Sequence, residues 1–246
     1  MFELDHDGFI LFKDYFSEDD GARITRWGDE INGWLEMKGK WMIYFEQGKQ
    51  KARIENFIRY HPELEEFLNH VIKPLLEETI GERVELFKDK MNWKLPGGKG
   101  FAAHQDHPAW SRFQPSIYYT VALFVDHSTE ENGCLEFARG HGGGKILPYN
   151  EKGNGSLRGN FEWEKVPTTP RDVFIFSSFA PHRSGPNCSD GARRIFYFTF
   201  NKKCEGNHYD QYIKDKREEF PPDIEREEGK EYKILGNKYN LANPIV

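Results

Sequence analysis

From Val84 onward the chain is written as short strands, and that pattern limits the folds open to it. Side chains alternate faces along an extended chain. Lys88, Lys90, Asn92 and Lys94 therefore share one side, while Phe87, Asp89, Met91, Trp93 and Leu95 share the other. Pro96-Gly97-Gly98-Lys99-Gly100 follows as a turn. Further strands are expected at residues 117–126, 134–138, 173–177 and 195–200. Short strands punctuated by glycine, proline and asparagine turns build a sandwich or a barrel.

Before that point the periodicity is mostly helical. Gly8-Phe9-Ile10-Leu11-Phe12 reads as a short strand, after which Ser17 can cap a helix with Glu18, Asp19 and Asp20 in its first turn. Ile24, Trp27, Ile31, Trp34 and Leu35 recur at helical spacing and give that helix one face to bury. Residues 41–45 read as a strand and 47–50 as a turn. Arg53-Ile54-Glu55-Asn56-Phe57 alternates, placing Arg53 and Glu55 on one side. Pro62 opens a second helix with the stripe Leu64, Phe67, Leu68, Val71 and Ile72; Pro74 ends or kinks it, and Gly81 caps its continuation. No convincing helix follows, and the charged stretch 218–246 is expected to wrap the surface as irregular chain. The layout predicted is one domain over residues 1–246: a helical N-terminal part (1–82), a barrel core (83–202) and a C-terminal wrapping segment (203–246).

Composition narrows the partners. With 246 residues, 37% of them hydrophobic and 15% aromatic, the chain can fill one core. A net charge of −6, with acids and bases interleaved, argues against a broad nucleic-acid surface. No apolar run approaches the roughly 18 residues of a membrane helix, and Met1-Phe2-Glu3-Leu4-Asp5 lacks a basic leader. Cys134, Cys188 and Cys204 have no paired spacing and read as reduced thiols. These features predict a cytoplasmic protein, monomer or homodimer, that handles a small molecule and contacts neither nucleic acid nor membrane.

The chemistry centres on His104-Gln105-Asp106, where a histidine and a carboxylate two residues apart on a strand share a face. His182, at the end of the apolar run 173–176, can close a three-ligand set. Two imidazoles and one carboxylate leave metal positions open, the pattern of non-haem Fe(II) oxygenases. Arg193 opens the following strand, where an inward guanidinium would pair with a dicarboxylate; Arg194 must then face out. Taken singly, most of the nine histidines read as surface or core residues.

In combination the motifs are more specific. His104-Gln105-Asp106, Glu131-Asn132-Gly133-Cys134-Leu135, Gly140-His141, Pro170-Arg171-Asp172-Val173, His182-Arg183-Ser184-Gly185-Pro186-Asn187 and Arg193 occur in this order over roughly residues 5–202. They resemble the phytanoyl-CoA dioxygenase family of Fe(II)/2-oxoglutarate oxygenases. The resemblance implies a mainly β fold, a double-stranded β-helix or cupin-like jelly roll with N-terminal helices packed outside. It implies Fe(II) held by His104, Asp106 and His182, with Arg193 on the distal carboxylate of 2-oxoglutarate and Ser184 beside it. With O2, oxidative decarboxylation of the 2-oxo acid would give succinate and CO2 and oxidise the substrate. Halogenases of the superfamily lack the carboxylate ligand; Asp106 is present, so hydroxylation is expected. Many members carry glycine after the distal histidine, where this chain has Arg183. Asn92 is assigned to the C1 end of 2-oxoglutarate, and Thr120 to the same pocket.

Three features bear on the substrate. Lys90 and Lys94, with Lys88, share the face of Asn92, and a lumen lined by them would be cationic. Arg53 and Asn56 lie in a segment that some relatives bring to the site. Trp110 and Tyr118 form an aromatic wall or plain core, and Arg183 adds a charge near the site or points outward. A cationic pocket suits a small anionic or zwitterionic metabolite: a phosphonate, an amino acid or a carboxylate. The alternatives are a hydroxylase of a CoA thioester or lipid-like substrate, a metal-binding relative serving as a sensor or binding module, and a cupin-like metal enzyme that works without 2-oxoglutarate.

Overall fold

A computed structural model describes residues 2–46, 50–142, 144–150, 156–230 and 232. Its strands are β1 (Phe9–Phe12), β2 (Met42–Glu46), β3 (Gln50–Glu55), β4 (Val84–Lys94), β5 (Phe101–His104), β6 (Tyr118–Phe124), β7 (Leu135–Ala138), β8 (Trp163–Val166), β9 (Val173–Ser177), β10 (His182–Ser184) and β11 (Arg193–Lys202). They form a seven-stranded sheet, ordered β1-β9-β6-β11-β4-β3-β2, and a four-stranded sheet, ordered β5-β10-β7-β8. The pairings are antiparallel. Phe9, Phe124, Phe174, Phe176 and Ile195 of the large sheet meet Leu135, Phe137 and Val166 of the small one in a single apolar cluster. The two sheets thus close face to face as a jelly roll, the expected fold.

The helices cover the outer face of the large sheet. They are α1 (Phe2–Asp7), α2 (Glu18–Asn32), α3 (Pro62–Phe67), α4 (Lys73–Ile80), α5 (His107–Trp110) and α6 (Tyr209–Glu219). Ser17 caps α2, its hydroxyl accepting from the Asp20 amide at 3.1 Å. Ile24, Trp27 and Ile31 are then fully buried against Met91, Val121, Ile175 and Phe198, and each such burial stabilises the fold by about 1.5–3 kcal/mol. The helix stops at Asn32, so Trp34 instead packs on Trp41 at 4.3 Å between ring centroids. Leu35, expected on the buried face, is 81% exposed. Pro74 neither ends nor breaks its helix: a π-helical turn, Leu68–Ile72, joins α3 to α4 and places the proline in the first turn of α4. Gly81 closes α4 in the left-handed conformation (φ 72°), its amide bonded to Glu77 O at 2.9 Å.

Four local expectations change. The first 82 residues are helical only in part, because β1, β2 and β3 join the large sheet. Phe87 does not simply share the Asp89 face. A bulge slips the β4–β11 register between Lys88↔Thr199 and Leu86↔Phe200, and Phe87 packs on Trp110 (5.6 Å) and Tyr118 (4.7 Å). His182 does not end the apolar strand before it: residues 178–181 cross from the large sheet to the small one, where His182 begins β10. A convincing helix does follow Gly81: α6 buries Tyr209, Tyr212, Ile213 and Lys216 and reaches only the first two residues of the stretch expected to be irregular. Residues 47–49 of the expected turn and 233–246 of the expected wrapping segment lie outside the described residues. Among the described residues no helix is long and apolar enough to cross a membrane.

Candidate active site

His104 ends β5 and His182 begins β10, and antiparallel pairing sets these two residues opposite each other. Their ring centroids are 4.1 Å apart. Asp106 follows after the strand ends, its carboxylate oxygen 3.8 Å from His104 Nε2. One ligand atom from each of the three lies within 4.8 Å of the others. Each imidazole gives its Nδ1–H to the backbone carbonyl two residues upstream, Ala102 for His104 (2.8 Å) and Ala180 for His182 (3.0 Å). A carbonyl can only accept, so the proton sits on Nδ1 and leaves both Nε2 lone pairs facing inward. Burial and His182 lower the His104 imidazole to about 4, which keeps it neutral. Burial pushes the Asp106 carboxyl up, but His182, His104, Lys90 and Lys88 outweigh it and hold Asp106 ionised. Two imidazole nitrogens and one carboxylate, all presented to one point, fit a divalent iron with open positions.

Gln105 fixes the turn between the two ligands. Its amide nitrogen donates to Lys145 O (2.9 Å) and Phe179 O (2.6 Å), and its oxygen accepts from the Leu147 amide (2.8 Å). His107 turns away to Ser178 and stacks on Phe179 at 4.1 Å.

The triad opens on a cavity of about 90 Å³ between the sheets. At one end stands Arg193, 3% exposed, with Nε and Nη1 lacking a hydrogen-bond partner among the described residues. An unpaired buried guanidinium is costly, and a ligand carboxylate is what would satisfy it. Lys94 lies opposite it in register and donates to Ser184 Oγ (2.7 Å), Gly133 O (3.3 Å) and Gly185 O. Because the lysine only donates, the Ser184 hydroxyl hydrogen remains free for an incoming acceptor. Burial and Arg193 push the Lys94 ammonium down to about 7. Chain packing is tight here: a Cβ on Gly100 would come within 2.3 Å of Ser184 O, and one on Gly133 within 2.3 Å of Gly185 O.

Along the large sheet the charge continues. Arg53, Lys88, Lys90 and Asn92 line the cavity with Thr120, Tyr197 and Thr199. Lys88 Nζ sits 4.7 Å from the Trp110 ring centroid, and Lys90 Nζ 4.6 Å from that of Tyr197. Neither lysine has a hydrogen bond or ion pair among the described residues. Burial lowers both ammonium groups, Lys90 the more because Lys88 and Arg53 repel it. Arg53 Nε donates to Asn92 Oδ1 at 3.3 Å, and Thr120 and Thr199 share a hydroxyl bond of 2.9 Å.

Three residues expected near the substrate, Asn56, Tyr118 and Lys94, do not line the cavity, and a fourth, Arg183, lines it with its charge committed elsewhere. Asn56 leaves the strand in a left-handed turn (φ 59°), donates to Lys40 O at 2.8 Å and accepts from the Tyr209 hydroxyl at 3.2 Å. Tyr118 is core, its hydroxyl tied to Trp110 O at 3.1 Å. Lys94 is held at the Arg193 end. Arg183 lends part of the cavity wall, but its guanidinium binds Glu136 (2.9 and 2.8 Å) and covers Trp163 at 4.4 Å. Trp110 does line the cavity. Tyr197 and Thr199 were missed, although they follow Arg193 at the strand period of two.

Comparison with known proteins agrees with this geometry. A family model described as phytanoyl-CoA dioxygenase matches residues 4–195. The chain is 42% identical to a 2-aminoethylphosphonate dioxygenase from an uncultured bacterium, HF130_AEPn_1, across 97% of this chain and 94% of that protein. It is 36% identical to a methylphosphonate hydroxylase from Gimesia maris, across 87% of this chain and 84% of that one. The fold is shared with a crystal structure of EctD from S. alaskensis with 2-oxoglutarate and 5-hydroxyectoine (TM-score 0.69, 17% identity, 82% of this chain and 75% of that chain). The chain belongs to the phytanoyl-CoA dioxygenase family of Fe(II)- and 2-oxoglutarate-dependent oxygenases.

Proposed function

We propose that this chain hydroxylates a small phosphonate, with 2-oxoglutarate as co-substrate, inside one domain spanning residues 1–246. Lys88 and Lys90 carry the reading. Two neighbouring ammonium groups on one strand face, both drawn out of water and without an ion pair among the described residues, open into the same cavity as the triad. A phosphonate carries oxygens and negative charge enough to neutralise them. The printed activities of the two relatives, on 2-aminoethylphosphonate and methylphosphonate, point the same way.

In this reading His104 Nε2, the Asp106 carboxylate and His182 Nε2 hold the iron, and the bound metal with 2-oxoglutarate supplies the oxidising chemistry. Arg193 takes the distal carboxylate of 2-oxoglutarate, with the Ser184 hydroxyl donating beside it and Asn92 towards the C1 end. Arg53, Lys88 and Lys90 hold the phosphonate, while Trp110, Thr120 and Thr199 shape the wall. The residues act by orientation and by exclusion of water. Overall, 2-oxoglutarate, O2 and the substrate C–H become succinate, CO2 and the hydroxylated phosphonate. The test is succinate release under Fe(II) with panels of phosphonates, amino acids and carboxylates, the product followed by phosphorus NMR. Stimulation by phosphonates with a shifted phosphorus resonance is expected; stimulation only by amino acids or carboxylates refutes the assignment.

A further inference from the structure

Behind the cationic wall lies a carboxylate that the cavity does not touch. Glu55 is fully buried on β3, one alternation from Arg53. Its Oε1 is 3.4 Å from Arg53 Nη1 and 3.5 Å from Lys216 Nζ. Its Oε2 accepts the Tyr212 hydroxyl at 2.8 Å. Tyr212 and Lys216 are one turn apart on α6 and both fully buried. Lys88 Nζ lies 5.4 Å from the Tyr212 ring centroid. Burial pushes the Glu55 carboxyl up, yet Lys216, Lys88, Arg53 and the Tyr212 hydroxyl together hold it at about 2.

The charge count gives this arrangement a meaning. Alone with Arg53, Glu55 would cancel a cation that lines the cavity. Burial lowers the Lys216 ammonium to about 7 while Glu55 holds it up; in its charged form it shares the carboxylate from outside the cavity lining, and the wall keeps more of its positive charge. We propose that Lys216 determines specificity by acting through Glu55: it shares the Glu55 charge, so that Arg53 and Lys88 present net positive charge to the second negative charge of a tetrahedral dianion. Helix α6 thereby sets how many charges the substrate must carry. This rests on the phosphonate reading above.

The natural comparison is a phosphonate against the sulfonate of the same carbon skeleton, which has three oxygens in the same tetrahedral array but one charge. Both would be titrated by calorimetry into anaerobic protein loaded with Mn(II) and 2-oxoglutarate, with 2-oxoglutarate affinity measured separately. The parent protein should prefer the phosphonate. Lys216→Met should weaken phosphonate binding at least tenfold and sulfonate binding less than threefold, leaving 2-oxoglutarate unaffected. Lys216→Arg should retain the preference. Glu55→Gln should move the preference the other way, and Glu55→Gln with Lys216→Met should return it to the parent value. If Lys216→Met fails to fold, the Glu55→Gln and double variants carry the test. Equal loss of both anions, or a preference unmoved across the variants, reduces Lys216 to a prop for α6 and overturns the proposal. A parent protein that binds neither anion, or prefers the sulfonate, overturns the phosphonate reading itself.

Discussion

Replacing Arg193 with methionine should separate binding from stability, because the two respond with opposite signs. The guanidinium is buried with Nε and Nη1 unpaired, and two charge-assisted bonds to a carboxylate at about 1.5–3 kcal/mol each give about 3–6 kcal/mol. Their loss raises the 2-oxoglutarate dissociation constant roughly 10²- to 10⁴-fold. The same substitution removes an unsatisfied buried cation, so unliganded Arg193→Met should melt no lower than the parent. Thermal unfolding under anaerobic conditions with Mn(II) reads both effects. At a concentration about 100 times the parent dissociation constant, 2-oxoglutarate stabilises the parent by about 2.7 kcal/mol. For a chain of this size that is roughly 5–11 °C. The variant should shift by about 1 °C or less. An equal shift in both proteins, or an unliganded variant that melts well below the parent, refutes the placement of the co-substrate at Arg193.

His104→Ala and Asp106→Ala should each abolish turnover and lower bound iron, checked by metal content after anaerobic reconstitution; full iron retention in either contradicts its role as a ligand. Lys90→Met should raise the phosphonate KM at least tenfold with the 2-oxoglutarate KM within threefold, measured by succinate release. Arg183→Ala should change kcat/KM less than threefold, since its guanidinium is committed to Glu136 and Trp163; a large loss would place it in the chemistry. Glu55 is depressed from an ordinary 4.5 to about 2. Its stabilising contribution of about 3 kcal/mol is therefore present above pH 4.5 and lost as pH falls towards 2. Urea unfolding of Glu55→Gln between pH 2 and 5 should show a flatter acid limb than the parent.

The parts legible in the sequence were those governed by local period. His104 stands at the end of the strand that opens the site, although Asp106 meets it from the turn after β5 rather than from the same strand face, and alternation on β4 separated the lysines from the residues that face the helices. What escaped depended on contacts between distant segments. Phe87 departed from its assigned face through a bulge that only the partner strand β11 defines. Asn56 was read as a continuation of Arg53 and Glu55, but the strand ends there, and its side chain answers to Lys40 and Tyr209. Helix α6 fell among residues where no convincing helix was expected after Gly81, because one of the residues it buries is a lysine, Lys216, held against Glu55.

The division of the site between two sheets has an evolutionary consequence. The histidines of the metal point sit on the small sheet, clamped by main-chain carbonyls that no side-chain substitution removes. The charges that would select a substrate hang on β3 and β4 of the large sheet, at alternating positions whose intervening residues anchor the helices. Exchanging one inward residue there alters what is held without disturbing the oxidising centre or the outer core. Such a barrel can change its diet one strand position at a time.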